Sequence, residues 1–253
     1  MKYVKYKKKR FEVREARLDL SNLKIKNIYE IERLEEIADL EELNLSNNYI
    51  REINNLENLK SLKKLNLQFN EITEIKNLEN LTNLTHLYLY NNNISKIKGL
   101  DDLINLTELN LFDNRIQKIE GLGNLTDLKE LYLGSNRIYI IEGLENLSKL
   151  RFLNIEKNFI TKIQGLDKLR NLVLLVIKRN RINELKNLES LVQLKRLNLA
   201  FNKINDIKGV GGLKNLQIID LRGNPVYENK IEISNTKIKV KLLDAQDLVN
   251  YCQ

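Results

Sequence analysis

The sequence predicts a solenoid of stacked α/β units, with about ten short parallel strands on a concave face and helical or 3₁₀ turns on the convex side. Three observations predict it: a 22-residue period, paired leucines typical of short strands, and an asparagine at one place in most periods. Register kept over so many steps does not arise by chance, and such periods are typical of repeat architectures. The units open at nine leucines: Leu40, Leu62, Leu84, Leu106, Leu128, Leu150, Leu172, Leu194 and Leu216.

The template of one unit is LxxLxLxxNxIxxIxxLxxLxx. Its LxL segment alternates apolar and polar residues, which indicates a short strand with one buried face. The IxxIxxLxxL segment has a spacing near three, which favours short helical or 3₁₀ turns. No unit can bury its apolar edge alone, so neighbours must stack and share a core. Because strands pack ~4.8 Å apart and the turns need more room, the stack is expected to curve with its strands inside.

The repeated asparagine carries two amide donors and one acceptor, so it can satisfy backbone groups where the chain leaves the strand. A buried ladder of such residues stabilises the fold only if every member is satisfied. The predicted ladder comprises Asn48, Asn70, Asn92, Asn114, Asn136, Asn158, Asn180, Asn202 and Asn224. Glycines also recur at one later position, where a tight bend is expected: Gly99, Gly121, Gly143, Gly165 and Gly209.

The pattern divides the chain into three parts. Residues 1–14 form a basic N-terminal lead-in or cap, in which Phe11 and Val13 are expected to cover the first repeat. Residues 15–226 hold the repeats, beginning with a degenerate 25-residue unit in which Leu23 replaces the asparagine. Residues 227–253 are expected to form a C-terminal cap, because the terminal repeats of a stack need cover. Its apolar residues are Ile231, Ile238, Val240, Leu242, Leu243, Leu248 and Val249.

The repeat resembles the 22-residue class of leucine-rich repeats over roughly residues 15–226. That class includes the nuclear regulatory subunit of protein phosphatase 1, axonemal dynein light chain 1 and the bacterial internalins. The resemblance implies a right-handed, horseshoe-shaped or arc-shaped solenoid. The phosphatase subunits have a C-terminal cap that starts from a stretch similar to Asp220-Leu221-x-x-Asn224-Pro225, but their later aromatic and proline residues are missing here.

Composition suggests a compartment. The chain has a formal net charge of +8, and its one cysteine, Cys252, permits no internal disulfide, which favours a reducing environment. The basic start is followed by no apolar stretch, so no signal peptide is recognised. No apolar run reaches the ~20 residues that a membrane span needs. We therefore expect a monomeric protein of the cytoplasm or nucleus that is neither secreted nor membrane-bound.

Catalytic chemistry is not expected. His86 lies at a strand position that should be exposed and away from any repeated carboxylate, and Cys252 has no partner to activate it. The sequence has no phosphate-binding glycine loop and no zinc-ligand spacing. We expect no enzyme activity, no catalytic residue, no metal and no cofactor.

The variable positions of the strands should project from the concave face. On neighbouring strands, several of them are aromatic or apolar without a reason in the template. Clustered aromatic side chains with a polar rim are typical anchors of protein interfaces. The predicted protein-binding residues are His86, Tyr88, Tyr90, Phe112, Tyr132, Phe152, Leu174 and Val176, with Lys178 and Arg179 in a mixed-charge rim beside Glu108, Glu130 and Glu156.

The preferred function is thus a non-enzymatic scaffold or regulatory subunit that holds another protein on its concave face. The family resemblance suggests a phosphatase regulator. One alternative is a binder of nucleic acid or an acidic surface, which would use the basic arm Lys7–Arg10 and an edge column after the ladder. Acidic residues interleave there and no aromatic platform is expected, so nucleic acid is not the favoured partner. The edge column is Tyr49, Glu71, Asn93, Arg115, Arg137, Phe159, Arg181 and Lys203. Another alternative is an internalin-like adhesion module.

Overall fold

The structure is a computed structural model that describes residues 2–228, and within them it has one large parallel sheet. Ten strands, β3 to β12, follow one another across this sheet in chain order, which confirms the predicted solenoid. The strands are β1 Tyr3–Tyr6, β2 Lys9–Glu12, β3 Arg17–Asp19, β4 Glu42–Asn44, β5 Lys64–Asn66, β6 His86–Tyr88, β7 Glu108–Asn110, β8 Glu130–Tyr132, β9 Phe152–Asn154, β10 Leu174–Val176, β11 Arg196–Asn198 and β12 Ile218–Asp220.

The strands pair in the register of the sequence repeat. Leu65 of β5 lies opposite Leu87 of β6, which in turn lies opposite Leu109 of β7. All three leucines are fully buried, and the leucines and isoleucines of every unit join one continuous hydrophobic core. Each strand of this sheet therefore buries its central leucine or isoleucine, and its first and third residues project from the opposite face, as alternation along a strand requires. The third residue is partly or fully exposed in β3 to β8 but buried in β9 to β12.

The convex side consists mainly of turns. Leu59 N–H donates to Leu56 O (2.9 Å) and Leu62 N–H donates to Leu59 O (3.0 Å), and the later units repeat this pair of bonds. Within residues 2–228, 3₁₀ helices occur only at Ile28–Glu30, Leu34–Glu36 and Lys208–Val210. The return segment of a 22-residue unit is too short for regular helices, so single turns bury its leucines instead.

The recurring glycines serve two different purposes. Gly99, Gly121, Gly143 and Gly165 have φ between 66° and 68°, a conformation that L side chains rarely adopt. Gly209 lies instead in the 3₁₀ turn without a positive φ, and a Cβ there would lie 1.5 Å from Leu185 O. All five glycines therefore permit a close backbone approach to the preceding unit, and the four with positive φ also permit the bend that the sequence predicts.

The N-terminal basic segment is a folded β-hairpin. Strands β1 and β2 pair antiparallel around Lys7 and Lys8, both of which have positive φ, and Lys5 bridges to Glu32 of the first unit. Val4 and Tyr6 are buried in the common core, while Phe11 and Val13 are only partly buried against it. Phe11 and Val13 thus pack against the core as expected, and the inward face of β1 adds the more deeply buried Val4 and Tyr6, which the sequence did not identify.

At the other end, the helix α1 (Pro225–Glu228) follows the last strand, and Val226 N–H donates to Ile204 O (2.9 Å). The predicted C-terminal cap beyond residue 228 and Cys252 lie outside the described residues. Between residues 2 and 228, no helix has the length and apolar character needed to cross a membrane. The same part of the chain contains no group of three His, Cys, Asp or Glu side chains suited to a metal ion.

Candidate functional site

The ladder asparagines hold the end of each strand in place. Asn136 Nδ2 donates to Leu111 O (2.9 Å), Leu133 O (3.1 Å) and Gly134 O (3.2 Å), and its Oδ1 accepts from Ile116 N–H (2.9 Å). All nine ladder residues donate from Nδ2 to carbonyls of their own unit and of the preceding unit. Asn224 donates to two such carbonyls and the other eight donate to three. Asn48 also accepts from Leu23 N–H and Ile25 N–H, which compensates for the missing asparagine of the first unit. The ladder thus fixes the backbone from which the concave side chains project.

Each strand offers three outward positions, which we call leading, middle and trailing; in β4 they are Glu42, Asn44 and Ser46. The middle position, which was predicted to be variable, has a structural role in most units. In seven units its side-chain oxygen accepts a hydrogen bond of 2.9–3.1 Å from the backbone N–H two residues later. These seven residues are Asp19, Asn44, Asn66, Asn110, Asn154, Asn198 and Asp220.

Three units lack this capping residue. Their middle positions hold Tyr88, Tyr132 and Val176, which cannot accept the bond through a short side-chain oxygen. An Asx-type bond stabilises the turn that follows the strand. Loss of this bond removes local stabilisation. We infer that the residues at these three middle positions serve another purpose on the concave surface.

The central strands of the concave face carry a cluster of half-buried aromatic rings, which we call the aromatic surface. The Tyr132 and Phe152 ring centroids are 4.8 Å apart. A Cβ added to Gly134 would lie 2.6 Å from the Phe112 ring, so Gly134 provides the space in which that ring lies. The aromatic surface consists of Tyr88, Tyr90, Phe112, Tyr132 and Phe152. The structure therefore brings these five predicted residues onto one part of the sheet.

Phe69 extends this surface, although it was not predicted as a site residue from the sequence. Its ring packs edge-on to Tyr90 with centroids 4.5 Å apart, and 40% of the residue remains exposed. Its φ is 53°, a conformation that is uncommon for a bulky residue. Equivalent positions 22 residues apart hold small, polar or charged residues and a second phenylalanine, all with positive φ: Asn47, Asn91, Asp113, Ser135, Lys157, Arg179, Phe201 and Gly223. A large ring in a column that is mostly polar was the signal that could have identified Phe69.

Two carboxylates accompany the tyrosines. Tyr88 Oη donates to Glu108 Oε2 (3.2 Å), and Tyr132 Oη donates to Glu130 Oε2 (2.8 Å). Burial, assisted by the neighbouring Glu130 charge, raises the pKa of Glu108, and burial beside Glu108 raises the pKa of Tyr88. The tyrosine hydroxyls therefore act as hydrogen-bond donors at neutral pH, and the negative charge between them would favour a cationic group of a partner.

The expectation that His86 is exposed and remote from carboxylates is wrong. His86 is half-buried, its Nε2 lies 3.8 Å from Glu108 Oε2, and its Nδ1 lies 2.8 Å from Thr85 Oγ1. Burial and the nearby Lys64 lower its pKa, so the imidazole is neutral at pH 7. His86 therefore extends the polar side of the aromatic surface without adding charge.

The raised pKa of Glu108 gives a pH prediction. Because its folded-state pKa lies above the unfolded one, Glu108 contributes stability that is complete below about pH 4.5 and is lost as pH rises through the folded pKa. We expect Glu108→Gln to raise the free energy of unfolding at pH 7 relative to wild type and to flatten its decline above pH 4.5. Urea denaturation across this pH range measures both effects. Glu57→Gln, at an exposed convex position, is the control; an equal response of the two variants would contradict the assignment.

The remaining predicted site residues lie at one side of the aromatic surface. Leu174 is half-buried, but Val176 is only 9% exposed and offers little contact area. Lys178 Nζ lies 3.0 Å from Glu156 Oε2, and the Arg179 guanidinium lies 5.1 Å from the Phe201 ring centroid. The mixed-charge rim is thus present, whereas Val176 is a weak candidate for direct contact.

A groove of about 520 Å³ adjoins the other side of the aromatic surface. The segment that links the hairpin to β3 forms one wall, and the strands β3 to β6 form the floor. It was not predicted, because its wall depends on how the hairpin folds back. Its lining ends at Tyr88 and includes Glu12, Arg14, Glu15, Arg17, Asp19, Glu42, Asn44, Lys64 and Asn66. The aromatic surface therefore continues into a groove with charges of both signs.

Solved structures share this architecture. An internalin C2 from Listeria monocytogenes is 30% identical, with a TM-score of 0.70, and the match covers 74% of this chain and 83% of that one. A second Listeria monocytogenes internalin is 28% identical, with a TM-score of 0.61 and coverages of 83% and 74%. The ectodomain of the Arabidopsis thaliana receptor kinase GASSHO1/SCHENGEN3, solved with CASPARIAN STRIP INTEGRITY FACTOR 2, is 28% identical, with a TM-score of 0.65, over 83% of this chain and 27% of the receptor chain.

Family profiles match much of the sequence. The profile of leucine-rich repeats in two copies matches residues 60–102, 104–149 and 192–239, and that of the single leucine-rich repeat matches residues 39–59. No curated protein matches the chain. The family is in general a non-enzymatic scaffold for interactions with other molecules. With its ten-stranded parallel sheet, buried asparagine ladder and these matches, the chain belongs to the leucine-rich repeat family.

Proposed function

We propose that this chain is a protein-binding scaffold or regulatory subunit that holds a partner protein on the aromatic surface of its concave face. The observation that carries the proposal is the replacement of the capping Asn or Asp by Tyr88 and Tyr132. Each tyrosine gives up a local hydrogen bond and places a half-buried ring among other rings. Aromatic side chains contribute most to binding energy when a partner covers them in a water-free contact.

The comparisons support this use of the fold. The Arabidopsis receptor ectodomain was solved in complex with CASPARIAN STRIP INTEGRITY FACTOR 2. The groove beside Tyr88 gives a partner both an apolar anchor and a charged, orienting edge. Paired rings and charges of both signs are common at the core and rim of protein interfaces.

The double variant Tyr90→Ala/Phe112→Ala tests the site. Loss of two anchoring rings should weaken capture of the partner at least tenfold, since truncating such an anchor costs about 2 kcal/mol. Affinity capture from native extract with wild type and variant side by side identifies the partner, and titration with that purified partner measures the change. Tyr29→Ala/Tyr49→Ala is the matched control, because it removes two exposed rings elsewhere. Equal binding by both variants would place the interface on another surface.

The finer proposal is that the partner is a protein phosphatase catalytic subunit and that the complex forms in the cytoplasm or nucleus. The 22-residue repeat and the stretch Asp220-Leu221-x-x-Asn224-Pro225 support it, since both are similar to features of the phosphatase regulatory subunits. Titration of the purified catalytic subunit with this chain, read as binding and as phosphatase rate, is the direct test. No binding at micromolar concentration would reject phosphatase regulation while leaving the aromatic surface to be tested by capture.

A second candidate is an adhesion module that binds a surface protein of another cell. The similarity to two Listeria monocytogenes internalins at 28–30% identity favours it. Both candidates use the concave face, so they differ in where the chain is found. Localisation of the tagged chain in its source cells, inside or at the surface, distinguishes them.

A further inference from the structure

We propose that the side of the solenoid next to the ladder, over the C-terminal half of the repeats, binds single-stranded nucleic acid. Apart from Arg179, which also belongs to the mixed-charge rim, this side shares no residue with the aromatic surface or its rim. We call it the edge surface, and it consists of a stacked aromatic pair and seven basic residues. These are Tyr139 and Phe159 with Arg115, Arg137, Lys157, Lys162, Arg179, Arg181 and Lys203.

The aromatic pair is the first observation. The Tyr139 and Phe159 ring centroids are 5.2 Å apart with an interplanar angle of 29°, and the Arg181 guanidinium lies 4.7 Å from the Phe159 centroid. Tyr139 is 54% exposed and the adjacent Ile140 is 50% exposed. The expectation that no aromatic platform occurs along this edge is therefore wrong. It failed because Tyr139 belongs to a different column of the repeat and meets Phe159 only when the units stack.

The unpaired positive charge is the second observation. All seven basic residues of the edge surface are exposed, and within residues 2–228 none has a carboxylate oxygen within 4.0 Å. Two nearby acidic residues form their close ion pairs with lysines outside the edge surface, Glu156 with Lys178 and Glu184 with Lys186, and Glu184 interacts more weakly with Lys162. Like charges kept together without partners raise the local potential and favour a polyanion.

The equivalent positions of the earlier repeats provide an internal comparison. There Arg51, which is equivalent to Tyr139, pairs with Glu71 (2.8 Å), which is equivalent to Arg137 and Arg181. Both halves are built on one template, so the template does not itself require unpaired cations. The difference lies in residues that the fold leaves free to vary.

Stacked aromatic rings together with basic side chains favour one class of ligand over the others. An acidic protein segment would satisfy the charges but has no need of an exposed tyrosine ring stacked on a half-buried phenylalanine. A duplex presents phosphates but keeps its bases stacked internally. A single strand supplies both phosphates for the cations and unpaired bases that stack on aromatic rings and guanidinium groups. The basic hairpin is not required, because Lys7 and Lys8 lie in its turn, in the cap of the first unit.

The test uses the full chain and a labelled single-stranded oligonucleotide of mixed sequence, followed by fluorescence anisotropy at several salt concentrations. Arg137→Ala/Arg181→Ala should weaken binding about tenfold and reduce the slope of log K against log salt by about 1.4, at ~0.7 for each phosphate that the variant no longer neutralises. Tyr139→Ala should weaken binding about tenfold without changing that slope, because stacking releases no counterions. The control Lys76→Ala/Lys98→Ala removes two ion-paired lysines of the earlier repeats that lie outside the edge surface, and it should leave binding unchanged.

Three outcomes would overturn the proposal. The first is no binding of the oligonucleotide by the wild-type chain at low salt. The second is equal binding of the matching duplex, or equal weakening by the Lys76→Ala/Lys98→Ala control, which would show generic attraction by the net charge. The third is an unchanged affinity of Tyr139→Ala together with full competition by polyglutamate, which would identify an acidic protein segment as the occupant. None of these results bears on the aromatic surface, which the Tyr90→Ala/Phe112→Ala variant tests separately.

Discussion

Replacing Asn136 with alanine is expected to lower the free energy of unfolding by about 3–5 kcal/mol, the largest effect of any polar substitution we consider. The side chain makes four hydrogen bonds in a position that is 6% exposed. Alanine would leave Ile116 N–H without its partner inside the core and would remove one of the two side-chain donors to Leu111 O and to Leu133 O, which keep the bonds from Asn114 and Asn158. Each buried group left unsatisfied costs about 1–3 kcal/mol.

Urea denaturation followed by circular dichroism measures this loss. Asn83→Ala is the control, since Asn83 also donates from Nδ2 to a carbonyl of the preceding unit (Lys60 O, 2.9 Å) but does so at the exposed convex side. The control should cost no more than about 1 kcal/mol, because water can replace the lost bond. Similar losses in the two variants would show that the ladder adds nothing beyond ordinary surface hydrogen bonds.

Gly121→Ala is expected to cost about 2–3 kcal/mol, whereas the larger substitution Gly121→Asn should cost at least about 1 kcal/mol less. Gly121 has φ 66°, and a Cβ there would lie 2.5 Å from Ile97 O, so alanine meets both backbone strain and a clash. The same column holds asparagine in other units. Asn77 has φ 58° and donates to Ile53 O (2.7 Å), and Asn187 has φ 60° and donates to Ile163 O (2.8 Å).

Both substitutions place a Cβ near Ile97 O, but asparagine tolerates the left-handed region better and can donate from its amide to that carbonyl, as Asn77 does to Ile53 O. Thermal and urea unfolding of both variants beside wild type measure the order. If alanine were better tolerated than asparagine, the close approach to Ile97 O would have to relax without cost, and the hydrogen bond seen at Asn77 would contribute nothing.

The architecture could be derived almost wholly from the sequence, because one 22-residue pattern recurs nine times and predicts the strand, the turn and the core residues of each unit. Leu65, Leu87 and Leu109 stack as the register requires, and each ladder asparagine bonds to its neighbours. The ends were harder to predict, since no repeat covers them. That Val4 and Tyr6 are buried more deeply than Phe11 and Val13 depends on the pairing of β1 with β2 and with Glu32.

The surfaces could be predicted only in part. When the units are aligned, each position of the repeat forms a column of residues 22 apart, which lie on adjacent strands. These columns predicted that Tyr88, Tyr90 and Phe112 lie close together. Contacts between different columns were not visible in such a layout. The Phe69–Tyr90 and Tyr139–Phe159 pairs each join two columns across neighbouring units, and the groove joins the repeats to a cap. The capping role of the middle position depended on a hydrogen bond that residue type alone does not assign.

The fixed offset of the ladder bonds has a consequence for the history of such a chain. Asn114 and Asn136 each donate to a carbonyl 25 residues earlier and accept from an N–H 20 residues earlier, so the junctions between 22-residue units are interchangeable. A duplication or deletion of one whole unit would restore the same bonds at the new join. During evolution the array can therefore lengthen or shorten by whole units while its outward side chains diversify independently. A new recognition surface can then arise without a new core.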